Sequence, residues 1–577
     1  MSPFHFVAAK SVRNVFMTTS PPLIRPWKSQ AQQYSCLHVF SCLLYFLLAA
    51  QSSFGQPPAG GPAPNTFSNI SAAQLQQVAE AAGRNGLQPV TIDAKTIGRE
   101  VRFHVKFTQK PNTVRWAIVI NAPAKRIRTE DIKFRKNGYE RTLTERVRVG
   151  REIVTTAVWT RKAKSPQPLV LPQQPISVSG NPAAGFEPVD EYFTNFLKTF
   201  NAAGASVAIA YQGNLVYERA FGYSDVAKKK TLQPNETFRI ASLSKTITSA
   251  AILRLVQQRK FALDDKIVPL LERKSLRLPT GSDPRWQDIT VRHLLQHSGG
   301  WQQDLSGDPL FQVVEITAAF GLKKSASFRH LIRHQMKRPL DFDPGSRVAY
   351  NNFGFLLLGR IVEAVTDQDY PDAVAELVLQ PAKMQHTLQG RTPLRLKQPS
   401  EPIYHMQTTT FLAPYWTSLD DFSRGDSTFA EDVPDPYGRW KLELMDSTGG
   451  WLSTASDLVN FATALDADPA PLLLPLTIQD LISQPATGPE QSSSLWTGLG
   501  WTVWSPFREE PTNLKHVRIS LNGALAGSST VLSHSSADWT FAVLFNCDES
   551  QDGTKLSFLA NKGLTEVLEG CKIPASE

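Results

Sequence analysis

Between residues 243 and 256 apolar side chains recur at Leu243, Ile247, Ala251 and Leu255, with Ile252 and Val256 beside them, which is helical spacing with one stripe turned inward. About a hundred residues on, Phe355, Leu358, Ile361 and Val362 mark a second helix, entered through the turn Asp343-Pro344-Gly345 and the loop residues Tyr350-Asn351-Asn352. Nearer the N-terminus the period changes to two. Runs of β-branched and aromatic residues follow Asn85-Gly86, and again Asn137-Gly138. The two runs align without a gap at an offset of 52, which sets Gly98-Arg99-Glu100 on Gly150-Arg151-Glu152 and Lys110 on Lys162. Each copy predicts a helical lead-in, a turn, a strand, a glycine turn and a second strand. Two helix-plus-hairpin units of this size cannot bury a face alone and are expected to pack on each other.

Breaks in the pattern divide the chain. The stretch "CLHVFSCLLYFLLAA" at 36–50, preceded by Arg25 and Lys28 and followed by small polar residues, is too short and too interrupted for a membrane span and reads as a secretory signal within residues 1–55. A retained anchor helix is the competing reading, and only that would tie the chain to a membrane. The expected location is periplasmic or secreted. Residues 56–70 are a Pro/Gly-rich linker, 71–163 the two repeats, 164–188 a second Pro-rich linker and 189–577 a large domain. With 577 residues and 41% hydrophobic content, this division suits the length. Of four cysteines, Cys36 and Cys42 fall in the signal; Cys547 and Cys571 could form one disulfide but make no framework and no metal-ligand spacing.

Charge alters the picture in one place. Residues 99–164 hold 18 Lys and Arg against 6 Asp and Glu, a local +12 that exceeds the +9 of the whole chain and leaves the remainder slightly acidic. Two solvated hairpin faces would account for it. A surface attracted to anionic polymers such as cell-wall material is the functional alternative; nucleic acid is not expected, because the patch has few aromatics and the chain carries an export signal.

Candidate chemistry begins at Ser242-Leu243-Ser244-Lys245. On a helix, positions three apart share a face, so Lys245 lies against the Ser242 hydroxyl where it can help to deprotonate it. Alone, a serine here would be an N-cap. Tyr350 and Asn352 supply a phenol and an amide on a loop before the second helix, suited to a general base and the group that orients it; a tyrosine base needs positive charge nearby, which Lys245 offers. His293 with His297 and His330 with His334 stand four apart, yet neither pair has the adjacent Glu of a zinc protease, and no metal or organic cofactor is expected. A Gly-x-Ser-x-Gly elbow and a phosphate loop are both missing. The segment 399–440, rich in aromatics, Pro and Asp without a period, is expected to wall a cleft with aromatics packing on substrate.

Several ordered stretches, "SLSK", "LDDKIVPLL" at 263–271, "ITVRHLLQHSGG" at 289–300, "YNN", "STGGWLSTASDL" at 447–458 and "GLGW" at 498–501, together resemble the serine β-lactamase and penicillin-binding family, in the branch of class C β-lactamases, D-alanyl-D-alanine carboxypeptidases and related esterases. The resemblance covers about 190–570. It implies a mixed α+β fold, a central antiparallel sheet with a helical subdomain and the cleft between them. It implies Ser242 as acylated nucleophile, Lys245 and Tyr350 handling its proton, and Asn352 holding Lys245. The family's third motif, a Lys or His followed by any residue and Gly, is here Leu521-Asn522-Gly523. Asn522 and Gly523 are thus the expected substrate-binding positions, and the N–H groups of Ser242 and Ala524 the expected oxyanion hole. Loss of the cation at Leu521 points to neutral esters or internal peptide bonds rather than β-lactams or D-Ala-D-Ala termini; His516 lies five residues away and does not replace it. The repeats, with their Asn-Gly turns, Trp116 and Trp159, resemble the repeated N-terminal domain of polyglycine hydrolases. The competing reading is a decayed penicillin-recognising fold that acts as a polymer-binding or regulatory module.

Overall fold

The computed structural model describes residues 66–84, 87–109, 114–136, 138–162, 164–173, 175–322, 325–412, 433–469, 471–486, 494–506, 511–515 and 517–571. Residues 1–55, read above as a secretory signal, linker residues 56–65, Asn85-Gly86, Asn137, residues 413–432 and His516 lie outside the described residues.

The small domain is built twice from one plan. Its first copy is β1 (Thr66–Ser71), α1 (Ala72–Arg84), β2 (Leu87–Ile97) and β3 (Glu100–Gln109); its second is β4 (Val114–Pro123), α2 (Ala124–Lys136), β5 (Glu140–Val149) and β6 (Glu152–Lys162). Each makes an antiparallel sheet, ordered β1-β3-β2 and β4-β6-β5. The unit is thus the expected helix and hairpin with a strand added ahead of them. Its leading strand also takes in residues 66–70, which the sequence had placed in the linker. That strand, "TFSNIS", has little apolar content and is held by pairing with β3 while Phe67 and Ile70 pack on the core.

Irregularities repeat with the same offset. Register slips fall between Phe67 and Ile70 and between Val119 and Ala122, then between Pro89 and Thr91 and between Arg141 and Leu143. Asn69 and Asn121, at the first pair of slips, both take left-handed backbone, φ +58° and +48°. Each hairpin closes through a two-residue turn whose leading glycine, Gly98 or Gly150, has positive φ, as the twist of the strands requires. The copies differ in exposure. Helix α1 buries Leu75, Ala79 and Ala82 in a core that also receives Val158 from the second copy, and Trp116 donates across to the Leu87 carbonyl at 2.9 Å. Helix α2 covers the other face of the second sheet through Ile127 and Phe134, and turns Lys125, Arg126, Arg128, Arg135 and Lys136 to solvent.

The segment 164–188 is not a free linker. Gln167-Pro168 pairs with Thr408-Thr409 and Val178-Ser179 with Ala220-Phe221, so the chain is stitched to the large domain before its first helix. Proline suits these edge positions, where no ladder hydrogen bond is asked of it.

The large domain has mixed architecture. Helix α3 (Glu187–Phe200) leads into β7 (Gly204–Tyr211) and β8 (Asn214–Asp225), then come α4 (Ser244–Gln257), α5 (Phe353–Thr366) and α6 (Ala455–Ala464). The sheet is completed by β9 (Leu495–Thr497), β10 (Thr502–Trp504), β11 (Arg518–Leu525), β12 (Ser528–His534) and β13 (Trp539–Phe545), and the domain closes with α7 (Leu556–Leu568). The antiparallel order runs β8-β7-β13-β12-β11-β10-β9. One face of the sheet packs on α3 and α7 through Phe193, Phe196, Val531, Phe545 and Leu564. The other carries α4, α5 and α6 with the short helices 267–272, 291–295 and 328–336. Helix α4 is buried on every side from Ser244 to Leu253, not along one stripe, because it runs between the sheet and the helical half. No helix among the described residues is long and apolar enough to cross a membrane.

Arg239, three residues before Ser242, fixes this region. Its side chain is fully buried against Glu401, Nε donating at 3.2 Å, between the rings of Tyr404 and Tyr437, whose centroids lie 4.6 and 5.2 Å from the guanidinium carbon. Its remaining N–H groups donate to the carbonyls of Arg391, Thr392 and Pro436. The planar fork thus ties four chain segments to one point. Of the aromatics expected to wall a cleft in 399–440, Tyr404, Tyr437 and Trp440 are buried in protein, while the rest of that expectation falls on 413–432, outside the described residues. Cys547 and Cys571 remain free thiols, the first buried and its thiol pushed up by that burial.

Removing one partner of a buried ion pair leaves the other charge uncompensated. Glu401→Gln is expected to destabilise the domain by about 3–5 kcal/mol, read as a lower urea midpoint by tryptophan fluorescence; an unchanged midpoint would show that the carbonyls alone satisfy Arg239.

Candidate active site

The nucleophile turn is held under strain. Ala241 takes φ +48°, a left-handed conformation that costs a non-glycine residue on the order of 1–3 kcal/mol unless its neighbours enforce it. Here they do. The Arg239 N–H donates to Tyr404 Oη, the Ile240 N–H to the Trp451 carbonyl, and the Arg239 and Ile240 carbonyls accept from Ser528 Oγ and Thr530 Oγ1 of β12. Ser242 follows in a single 3-10 turn, Ala241–Leu243, and α4 starts at Ser244.

Two of the expected groups meet on the Ser242 oxygen. Tyr350 Oη lies 2.7 Å from Oγ, and Lys245 Nζ donates to it at 3.1 Å. Lys245 is 1% exposed, and its second hydrogen bond goes to the Thr448 carbonyl at 2.9 Å. The Tyr350 ring lies 5.0 Å from the ammonium nitrogen and the Phe355 ring 5.9 Å. These acceptors and ring faces suit a cation removed from water. Tyr350 is 42% exposed, so the oxygens are open to an incoming molecule on one side.

Asn352 is placed differently from its expected role. Its Nδ2 donates to Asp308 Oδ2 at 2.6 Å, and the group that holds Lys245 is the Thr448 backbone. The reason is Asp308, brought in by the turn that starts at Pro309 and whose Oδ1 accepts the Leu310 N–H. Thr448 belongs to "STGG", recognised in the sequence as text but not as a ligand for the lysine, since a backbone carbonyl leaves no mark on residue type. His297, from the first of the spaced pairs, is buried close by. Burial, helped by the nearby Lys245, holds its imidazole down to about 3, so it stays neutral. Its ring lies 4.6 Å from that of Tyr350 and 5.1 Å from that of Phe355, a shelf behind the phenol. The other histidines of the spaced pairs that are bonded within turns are His293 and His330, whose Nδ1 atoms meet Thr290 N and Ser327.

Strand β11 passes beside the nucleophile. A Cβ on Gly523 would sit 2.4 Å from the Ile240 carbonyl oxygen and 3.1 Å from Ser242 N, so only glycine permits this approach. The β11–β12 hairpin closes on Leu525 and Ser528 through Ala526-Gly527. Counting from that closing pair, Ala524 and Ser529 are opposite each other without mutual hydrogen bonds, so the Ala524 N–H turns away from β12. Strand β10 pairs only as far as Ser520, leaving that edge of β11 uncovered at 524. Leu521 shares the face of Gly523 and packs against the core around α4. Asn522 has the opposite face, beside Val531 and the α3/α7 core, and its Oδ1 is buried without a hydrogen-bond partner; only its backbone is directed at the edge where Ala524 lies. No group of three or more His, Cys, Asp or Glu among the described residues is arranged to hold a metal ion.

A search of known proteins matches residues 189–562 to the family described as Beta-lactamase. Among curated proteins the chain is 32% identical over 199 residues to esterase EstB of Burkholderia gladioli, covering 34% of this chain and 49% of the esterase. It is 28% identical over 308 residues to a putative fimbrial assembly protein FimD, serogroup D, of Dichelobacter nodosus, covering 51% of this chain and 68% of that one. It is 26% identical over 249 residues to protein flp of Staphylococcus aureus, covering 40% and 47%. The chain therefore spans about half the length of two of these relatives. Among solved structures, EstCE1, a hydrolase with promiscuous acyltransferase activity, aligns over 67% of this chain and 98% of its own with 20% identity and a TM-score of 0.49. With the family model spanning nearly all of the large domain, this chain is a member of the β-lactamase family.

Proposed function

We propose that the large domain is a serine hydrolase that works through an acyl-enzyme on neutral esters or internal amide bonds. One observation carries this reading: the Ser242 oxygen lies within hydrogen-bond reach of both the Tyr350 phenol and the Lys245 ammonium. Ser242 Oγ attacks the substrate carbonyl while its proton passes to Tyr350. The carbonyl oxygen, now negative, is received by the N–H groups of Ser242 and Ala524, donors of a kind that contribute about 3–4 kcal/mol each. Collapse breaks the bond to the leaving group, which takes the proton back from Tyr350 with Lys245 beside it. Water then adds to the acyl-serine by the same proton path in reverse, releasing the acid and restoring Ser242.

Leu521 sets the preference. A substrate carboxylate placed over β11 would meet an apolar side chain and lose its hydration without gaining a cation. Neutral substrates carry no such cost, and the esterase relative is consistent with this class of bond. The N-terminal segment, read as an export signal, supports action outside the cytoplasm. The cations on α2, together with Lys95, Lys106, Arg146 and Arg148 on exposed strand positions, support attachment of the repeats to an anionic wall polymer.

A fluorophosphonate probe is expected to label the protein and to lose at least nine-tenths of that labelling in Ser242→Ala, while Gly523→Ala, which crowds Ser242 N, lowers the labelling rate about 100-fold; a folded but unlabelled wild type would sink the hydrolase reading. Nitrocefin is expected to turn over slowly beside p-nitrophenyl acetate, and Leu521→Lys to narrow the gap; rapid nitrocefin turnover at micromolar substrate by the wild type would refute the neutral-substrate preference. The described repeats should retain teichoic acid on a column with affinity that falls steeply between about 50 and 200 mM salt, as charge-driven binding does; retention indifferent to salt speaks against the cationic surface.

A further inference from the structure

We propose that His297 is the positioning residue of Tyr350: its carbonyl, its Nδ1 and the face of its ring hold the tyrosine loop at three points and so fix the phenol on the Ser242 oxygen. This rests on the hydrolase reading above, whose failure the experiment below separates from its own.

Tyr350 needs such a hold. It lies on the irregular stretch before α5 and is 42% exposed, so its own local structure does not select the rotamer that sets Oη 2.7 Å from Ser242 Oγ. Side chains this open exchange rotamers within nanoseconds unless something packs against them. His297 supplies the constraint. The Ala349 N–H donates to the His297 carbonyl at 2.8 Å, and the Asn351 N–H donates to His297 Nδ1 at 3.4 Å. The residues on both sides of Tyr350 are thus tied to one histidine. The imidazole also lies against the phenol, with ring centroids 4.6 Å apart and planes inclined by 41°, and is itself backed by the Phe355 ring at 5.1 Å. Two backbone ties and one ring contact fix both the path of the loop and the direction of the side chain.

The backbone of His297 is bent to this end. It takes φ +56°, a left-handed conformation that a non-glycine residue keeps only where its surroundings enforce it. The His297 N–H donates to the Leu294 carbonyl at 3.3 Å, the Ser298 N–H to the His293 carbonyl at 2.8 Å and the Gly345 N–H to the Ser298 carbonyl at 2.8 Å, so the bend is set where the short helix 291–295 ends. The ring it presents is buried, and burial followed by the Lys245 charge keeps it neutral. Since Nδ1 accepts from Asn351, the single proton of the neutral ring is on Nε2. A proton on Nδ1 would end that bond, so this tautomer is the one that holds the loop.

The test is the second-order rate of fluorophosphonate labelling at Ser242 of the full chain, read in a double-mutant cycle. His297→Ala, which removes acceptor and ring together, is expected to lower that rate about 100-fold, the loss a displacement of about 1 Å brings. His297→Asn, which tolerates left-handed backbone and restores an acceptor for Asn351, should label several-fold faster than His297→Ala. In a Tyr350→Phe background His297→Ala should cost no more than about threefold further, because its effect runs through the phenol; a residue needed only for structure would cost the same in both backgrounds. A folded His297→Ala that labels at the wild-type rate, equal losses in the two backgrounds, or His297→Asn no faster than His297→Ala each overturns the inference while the hydrolase reading stands; a folded but unlabelled wild type removes both. Should His297→Ala fail to fold, long-range proton–nitrogen correlation of the imidazole in the wild type decides: an unprotonated Nδ1 at neutral pH is expected, and a protonated Nδ1 overturns the hold.

Discussion

A lysine ammonium buried at the head of a helix is the constraint around which this domain is arranged. Lys245 cannot be desolvated without acceptors on several sides, and each acceptor comes from a different part of the chain: the turn before α4, the loop before α5 and the "STGG" turn before α6. Those three elements must dock together for the charge to be tolerated. The strained Ala241 turn has the same character, since its left-handed backbone persists because β12 hydroxyls and the Arg239 cluster hold the carbonyls on its N-terminal side. Nucleophile geometry is thus a product of the whole fold rather than of four residues on one helix. Arg239 and Lys245 bracket Ser242, one anchoring the chain that enters and the other the helix that leaves.

The parts legible in the sequence were those written in side chains. Ser242, Lys245 and Tyr350 are of types that advertise their chemistry, and the structure brings the phenol and the amine to 2.7 and 3.1 Å from the serine oxygen. The two repeats were legible because their glycines and β-branched runs recur at one interval. What stayed hidden was carried by backbone or by partners distant in sequence. The Thr448 carbonyl holds the lysine, and any residue could have supplied it. Asp308 sits 44 positions from the amide it accepts from, in a turn with no motif of its own. Strand β1 was lost to the linker because six mostly polar residues gain their order from pairing, not from pattern. The same reason explains the stitched segment 164–188, where prolines suggested freedom and edge pairing removed it.

Duplication in the small domain shows how one local plan tolerates two environments. Slips, left-handed asparagines and turn glycines are kept at equal spacing because they set the path of the backbone. The helices are not bound by that requirement. Helix α1 lies in the shared core and reads "AAQLQQVAEAAGR"; α2, open on one side, reads "AKRIRTEDIKFRK". Most of the difference in charge between the copies follows from which helix is covered.

The stitched segment has a mechanical consequence. Between the end of β6 at Lys162 and the first paired residue, Gln167, the chain can extend by no more than about 18 Å. Such a leash leaves the small domain little freedom to move away from the large one. A ligand that met both domains would encounter the second as a neighbour of the first, at an effective concentration that a floppy proline-rich spacer of the same composition would dilute many-fold.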